Sequence, residues 1–327
     1  MRKFPRKALA VLGVVVIVAS GVVVAAATAS TKSHKASVQV CVLLPDTKSS
    51  VRWVQFDAPA MKAAFAKAGV TASINNALND PLKQKAQAQA CIAAGATVVI
   101  ETALDNGSAA SIEKLFTSKG GKAIDYDRQV TGGSASVYVT FDGKAVGAAQ
   151  AKGVVAAMKA NGTYAKKGVV AELWGGQTDQ NAFWFKSGND AVLNPLFTKG
   201  PIVKGPQQFV PDWDANNAAT IFQQMLVKTN NKIDGVIAAN DNIAGAVIAD
   251  LKAKGLKPLP LSGQDATSQG IQYILAGWQS GTNCCGPFLI LPPEKSGFRT
   301  ASLPLLNQNA FWSVWPPQSS ATVLLLL

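Results

Sequence analysis

Six short clusters of polar and aromatic residues stand out as able to do chemistry in this 327-residue sequence. They are Arg52-Trp53, Asp125-Tyr126-Asp127-Arg128, Asp179-Gln180-Asn181, Asp212-Trp213-Asp214, Asn240-Asp241-Asn242 and Gln264-Asp265. This mixture suits a small polyhydroxylated ligand. Carboxylates and amides accept from and donate to hydroxyl pairs, and arginine offers a planar fork of donors. Tryptophan faces stack on the C–H side of a sugar ring. Each cluster also admits a purely structural role. Arg52, Asp127 and Arg128 would make surface ion pairs, and Trp53 and Trp213 would be core aromatics. Asn240-Asp241 would cap the helix that follows; Gln264-Asp265 would do the same for a helix over Ala266–Gly277. Asp125 reads as a strand end. The carboxylates could also form a glycosidase pair, which needs two of them about 5 to 10 Å apart across the bond to be cut.

Other chemistries are excluded. The single histidine, His34, lies just after an N-terminal apolar run, outside any fold. That removes Ser-His-Asp and Cys-His hydrolases, His-ligated zinc and histidine acid/base catalysis. The four cysteines (Cys41, Cys91, Cys284, Cys285) are too few and too oddly placed for a disulfide framework. No phosphate-binding glycine loop, dinucleotide fingerprint or nucleophile elbow is present, and Gly132-Gly133 and Gly175-Gly176 read as turns. No catalytic residue, metal ligand or cofactor is expected.

The elements that must position these clusters follow from periodicity. Short β-branched runs alternate with helical stretches from Ser37 onward. The predicted strands are Val38–Leu44, Val70–Asn75, Thr97–Thr102, Ala123–Asp127, Ser136–Phe141, Gly168–Leu173, Val203–Val210, Gly235–Ala239 and Pro258–Ser262. Asp80-Pro81 starts a helix and Ala94-Gly95 closes it. Alternation of this kind predicts an α/β fold with parallel sheets covered on both faces. The pattern occurs twice, predicting two doubly wound, Rossmann-like lobes over residues 37–141 and 142–282. Such lobes direct their strand C-termini, where the polar clusters fall, toward a common cleft.

The ends of the chain differ from its middle. Met1–Lys7 is basic, Ala8–Ala27 is apolar and Ala27-Thr28-Ala29 offers a small-residue cleavage site, so residues 1–29 read as a secretory signal peptide and 30–36 as a linker. The apolar run, about twenty residues, would also span a bilayer if left uncleaved. Six of the formal +12 charges lie in residues 1–35, where there is no acid; the other +6 is scattered. No basic stripe suggests nucleic acid. Two Asn-x-Ser/Thr sequons, at Asn106 and Asn161, are short enough to arise by chance.

At the clustered residues the chain resembles the periplasmic-binding-protein type I family, the sugar-binding proteins of bacterial ABC importers, and within it the D-xylose-binding group. The resemblance rests on the segments 44–53, 125–128, 139–142, 179–182, 230–234, 239–241 and 262–266, in order and at similar spacing. It implies an exported, non-enzymatic, monomeric clamp whose two lobes, joined by a hinge, close on one monosaccharide, D-xylose or similar, and deliver it to a permease. Arg52, Asp127 and Arg128 would contact the sugar from the first lobe, and Asn181, Asn240 and Asp265 from the second. Trp53 and Trp213 would supply the ring-stacking faces. A membrane-anchored sugar sensor is the alternative, and a secreted glycoside hydrolase is disfavoured.

The resemblance stops after Thr282. The family continues with a strand carrying a lysine near the sugar, then returns to the first lobe for a final helix. Here residues 283–327 hold six prolines and only three charged residues, Glu294, Lys295 and Arg299. No helical or strand period of useful length survives there. This atypical tail is read as a shifted reading frame, leaving the hinge one linker; the alternative is a divergent tail with a function of its own, such as a membrane contact.

Overall fold

The computed structural model describes residues 38–283 and the backbone of 289–291. In chain order the first half runs β1 (Val40–Leu44), a π-helical turn (Trp53–Asp57), α1 (Ala58–Ala68), β2 (Ala72–Asn76), α2 (Pro81–Ala93), β3 (Val98–Glu101), α3 (Asn106–Thr117), β4 (Lys122–Tyr126) and β5 (Val137–Thr140). The second runs α4 (Gly143–Ala160), β6 (Val169–Trp174), α5 (Gln180–Lys199), β7 (Val203–Phe209), α6 (Ala215–Lys228), β8 (Gly235–Ala238), α7 (Asp241–Ala253), α8 (Ser268–Leu275) and β9 (Leu289–Leu291).

Two sheets result. The first has the order β2-β1-β3-β4-β5-β9, parallel apart from β9, and the second the order β7-β6-β8, all parallel. In both, the first strand lies between the second and the third, so strand order reverses there and a crevice opens beyond its C-terminal end. The expected ninth strand, Pro258–Ser262, shrinks to a single bridge between Leu261 and Val236. Pro258 and Pro260 have no N–H to give a longer ladder.

Alternation along β1 shows how a lobe is sandwiched. Val40, Val42 and Leu44 pack with Met61 and Phe65 of α1 on one face. Cys41 and Leu43 pack with Ala88 and Cys91 of α2 and with Ile112 and Phe116 of α3 on the other. Such period-two burial on both faces is what a central parallel strand requires. Cys41 and Cys91 form a disulfide that ties β1 to α2. The dismissal of the cysteines is therefore corrected for this pair: fifty residues apart in sequence, they become neighbours only when the helix docks. Cys284 and Cys285 lie outside the described residues.

In the second lobe α4 and α5 approach so closely that a Cβ at Gly147 would stand 2.0 Å from the Phe185 carbonyl oxygen, and one at Gly188 2.1 Å from that of Lys144. The signals at Asp80 and Gly95 act as expected. Asp80 accepts from the backbone N–H of Leu82 and Lys83, and Gly95 takes a left-handed φ of 97°. The cap expected from Gln264-Asp265 is not made by either residue. Thr267 caps α8 through Gly270 N–H, because two left-handed residues, Asp265 and Ala266, delay the helix to Ser268.

The chain passes from the first sheet to the second at residues 141–142. It then returns, since β9 pairs antiparallel with β5 through Val139–Ile290. That return corrects the expectation of a single linker. The other tail residues, 284–288 and 292–327, and the leader lie outside the described residues. Among the described residues no helix is long and apolar enough to cross a membrane.

Candidate functional site

The loops leaving the C-terminal ends of the strands in both sheets meet at one cleft of about 350 Å³. It is lined by all eight residues expected from the sequence: Arg52, Trp53, Asp127, Arg128, Asn181, Trp213, Asn240 and Asp265. Ser49, Ser50, Asp179, Phe141, Phe185 and Gln264 join them.

From the first lobe, the loop after β1 is shaped by Asp46. One of its carboxylate oxygens accepts from the N–H of Lys48 and Ser49, at 2.7 and 2.6 Å, and the other from the Ser49 hydroxyl at 2.7 Å. An aspartate satisfying its own following backbone is a turn-former; the spacing Asp46-x-x-Ser49 is the signal that would have found Ser49. That serine also accepts from Trp53 Nε1 at 3.1 Å and from Arg128 Nη2 at 3.3 Å. The Arg52 guanidinium carbon lies over the Trp53 ring, 4.2 Å from its centroid. This occupies one face of a ring that is itself 3% exposed. Trp53 therefore serves partly as a platform for the arginine, a role the sequence did not reveal.

The second lobe contributes Asp179 and Asn181 at the start of α5, Trp213 after β7, Asn240 after β8 and Asp265 after the Leu261 bridge. Asp179 caps α5 through Asn181 N–H at 2.9 Å, and Asn240 caps α7 through Ile243 N–H at 2.9 Å. Trp213 rests on bare backbone, where a Cβ at Gly175 would stand 2.0 Å from the indole. Gly175 is thus required by close approach rather than by a turn. Left-handed backbone at Asp127, Asp212, Trp213, Asp265 and Ala266 clusters on these loops. Such conformations are costly and persist where surrounding contacts enforce them, commonly at binding sites.

Direct bonds join the two lobes across the cleft. Asn181 Nδ2 donates to the Asp127 carbonyl oxygen at 3.0 Å and to Oδ1 at 3.2 Å, and Asn240 Nδ2 to the Ser49 carbonyl oxygen at 2.9 Å. The Ser50 hydroxyl donates to Asp265 Oδ2 at 2.8 Å. Arg128 Nε stands 3.0 Å from Asp179 Oδ2 as an ion pair without hydrogen-bond alignment. The lobes are thus closed on one another.

The electrostatics are those of a buried, acid-rich cleft. Burial lifts Asp179 to about 6, with Arg128 pulling the other way, and lifts Asp265 to about 6 against Arg52. Burial would lower Arg52, but Asp57 and Asp127 outweigh it and keep the guanidinium charged well above its ordinary range. Burial also lifts Asp57, against the pull of Arg52 and Tyr126. Asn181 Oδ1 and Gln264 Oε1 are buried acceptors with no protein partner. Buried polar atoms of this kind call for a donor such as a ligand hydroxyl.

Other members of the sequence clusters stand apart from the cleft lining. Asp214 caps α6, Asp241 holds Thr267 and Gln279, and Asp125 lies buried inside the first lobe. Among the described residues no group of three or more His, Cys, Asp or Glu is arranged to hold a metal ion.

Two doubly wound lobes that bring donors and acceptors from both sides onto one small cleft define a ligand-clasping binding protein. The chain belongs to the periplasmic binding protein family, whose domain model matches residues 40–289. A D-xylose-binding periplasmic protein of Escherichia coli is 31% identical over 76% of this chain and 73% of its own. A multiple sugar-binding periplasmic protein of Azospirillum brasilense is 31% identical over 72% of this chain and 70% of its own. Among solved structures, an ABC transporter solute-binding protein from Clostridium phytofermentans with bound β-D-glucose superposes with a TM-score of 0.67. It is 25% identical and covers 74% of this chain and 77% of that one.

Proposed function

We propose that this protein is an exported, non-enzymatic binding protein that captures one monosaccharide, D-xylose or a similar aldopentose or aldohexose, and passes it to an ABC-type permease. The observation that carries this reading is the convergence of Arg52, Asp127 and Arg128 from one lobe and Asn181, Asn240 and Asp265 from the other on a single cleft. Guanidinium and amide groups donate to hydroxyls and carboxylates accept from them, while Trp53 and Trp213 offer indole surface to the ring. A sugar bridging both lobes binds the closed form better than the open one and so draws the hinge shut. The relatives named for D-xylose and for multiple sugars support the ligand class and leave several sugars open.

The proposed organisation is a signal peptide over 1–29, a linker over 30–36, lobes over 37–141 and 142–282, and a frame-shifted segment over 283–327, in a monomer. Translating the encoding nucleotides in the other two frames tests the last point; if neither restores a strand–helix pattern, the shift is refuted. The apolar run Ala8–Ala27 favours one second reading, a membrane-anchored sugar sensor. Fractionating cells and measuring the mature mass decides between a cleaved and a retained leader.

The sugar itself is tested by thermal melts of residues 30–327 with D-xylose, ribose, arabinose, glucose and galactose. A ligand bound only by the folded form and present at a hundred times its Kd stabilises by about 2.7 kcal/mol, several degrees in Tm. One sugar should give that shift, and a cooperative melt unmoved by any of them would refute the reading.

A further inference from the structure

Arg52 and Asp57 are five residues apart, a spacing that an α-helix would turn away from itself. At 3.6 residues per turn, side chains five apart point roughly 140° from one another. The turn Trp53–Asp57 is instead π-helical, with Ala58 N–H bonded back to the Trp53 carbonyl oxygen, and π-turns recur at functional sites. The wider turn brings the fifth residue back over the first. Arg52 Nε donates to Asp57 Oδ2 at 2.9 Å, and the Tyr126 hydroxyl donates to Asp57 Oδ1 at 2.9 Å. Asp57 is 2% exposed and does not line the cleft.

The guanidinium is therefore held on several sides. Nε is taken by Asp57, one N–H of Nη1 points to Asp127 Oδ2 at 2.8 Å, and the guanidinium carbon sits over the Trp53 ring. Of the five N–H donors an arginine carries, three remain. We propose that Asp57, itself fixed by Tyr126, is a positioning residue that locks Arg52 so that its remaining N–H groups face the ligand. This rests on the sugar-binding reading of the cleft. Asp57 does its work through Arg52 and never touches the sugar.

A double-mutant cycle tests it. Asp57→Asn in the wild-type background should weaken affinity for the stabilising sugar about tenfold, the loss expected when one charge-assisted hydrogen bond no longer holds a binding group. Tyr126→Phe should weaken it by a smaller factor in the same direction. In an Arg52→Lys background, Asp57→Asn should cost less than about twofold, since the group it positions is gone. A structural carboxylate would cost the same factor in both backgrounds, and that outcome would overturn the proposal.

A second readout needs no sugar. The Arg52 Nε–H resonance in a ¹⁵N spectrum should be slow to exchange in the wild-type protein and fast in Asp57→Asn. A fast-exchanging wild-type resonance would overturn the clamp whatever the protein binds. If no sugar binds while the protected resonance is present, the sugar reading fails and the Asp57–Arg52 clamp stands.

Discussion

Trp213 shows how a single side chain in the cleft depends on the absence of another. Its indole lies where a Gly175 side chain would be, with a built Cβ only 2.0 Å from the Cζ2 atom, and Phe185 meets the ring edge-on at 6.1 Å. An indole cannot flex out of such a clash, so Gly175→Ala must displace the ring or the strand end that carries it. Overpacking of this kind costs about 1 to 3 kcal/mol. Gly175→Ala should lower Tm and shift tryptophan fluorescence, whereas the same change made in a Trp213→Ala background, where the ring is gone, should lower Tm far less. An equal loss in the two backgrounds would show that contact with the indole is not what requires glycine at 175. Trp213 was legible in the sequence as a cleft residue, but Gly175 read as a turn glycine, because its contact with the indole lies 38 positions away along the chain.

At the scale of elements, the first lobe buries three carboxyl groups beneath its sheet. Glu101 ends β3, its register partner Asp125 lies in β4, and Glu113 faces them from α3. All are buried, and both Glu101 oxygens lack a hydrogen-bond partner. Burial first, and then the charge of Glu113, raises Asp125 to about 8; burial raises Glu101 as well. The unfolded chain releases the protons of Asp125 and Glu101 near the ordinary carboxylate range while the folded one retains them. Folding is therefore favoured most below about pH 4 by these two carboxyls and loses the Asp125 share of that advantage as pH rises toward 8. Asp125→Asn should raise Tm at pH 8 by several degrees and change it little at pH 4.5; equal effects at both pH values would refute the assignment. Reduction of Cys41–Cys91 acts on the same lobe. A loop of about fifty residues opened in the unfolded state should cost roughly 4 kcal/mol, measurable as a lower guanidinium midpoint for Cys41→Ser. Eight of the nine strands expected from β-branched runs form within a few residues of their predicted bounds, since each is written locally. The π-turn and the carboxyl group beneath the sheet are not local signals. The first is a one-residue excess in a helix, and the second reads as isolated acids until the strands fall into register.

For the whole molecule, the proposed clamp action implies an equilibrium between open and closed lobes, and the carboxylates of the cleft predict how protons bias it. Closure brings Asp179 to Arg128 and Asp265 to the Ser50 hydroxyl, removing both carboxylates from water. Both stand at about 6 in this closed form, lifted mainly by burial against the lowering pull of Arg128 and Arg52. In an open form, solvated, they would titrate near the ordinary 3.8. Closing the lobes therefore takes up protons. By the sign of that linkage, the contribution to closure is complete below about pH 4 and disappears as pH rises through about 6. Asn181 to Asp127 and Asn240 to Ser49 add interlobe bonds from amides, whose charge does not change over this range. Sugar-free protein should thus be more closed at pH 5 than at pH 7.5, seen as a smaller radius of gyration in solution scattering. Asp179→Asn with Asp265→Asn should remove the dependence, because neither amide can take up a proton. A radius independent of pH in the wild-type protein, or one that still changes in the double variant, would show that other groups, or none, couple the hinge to protons.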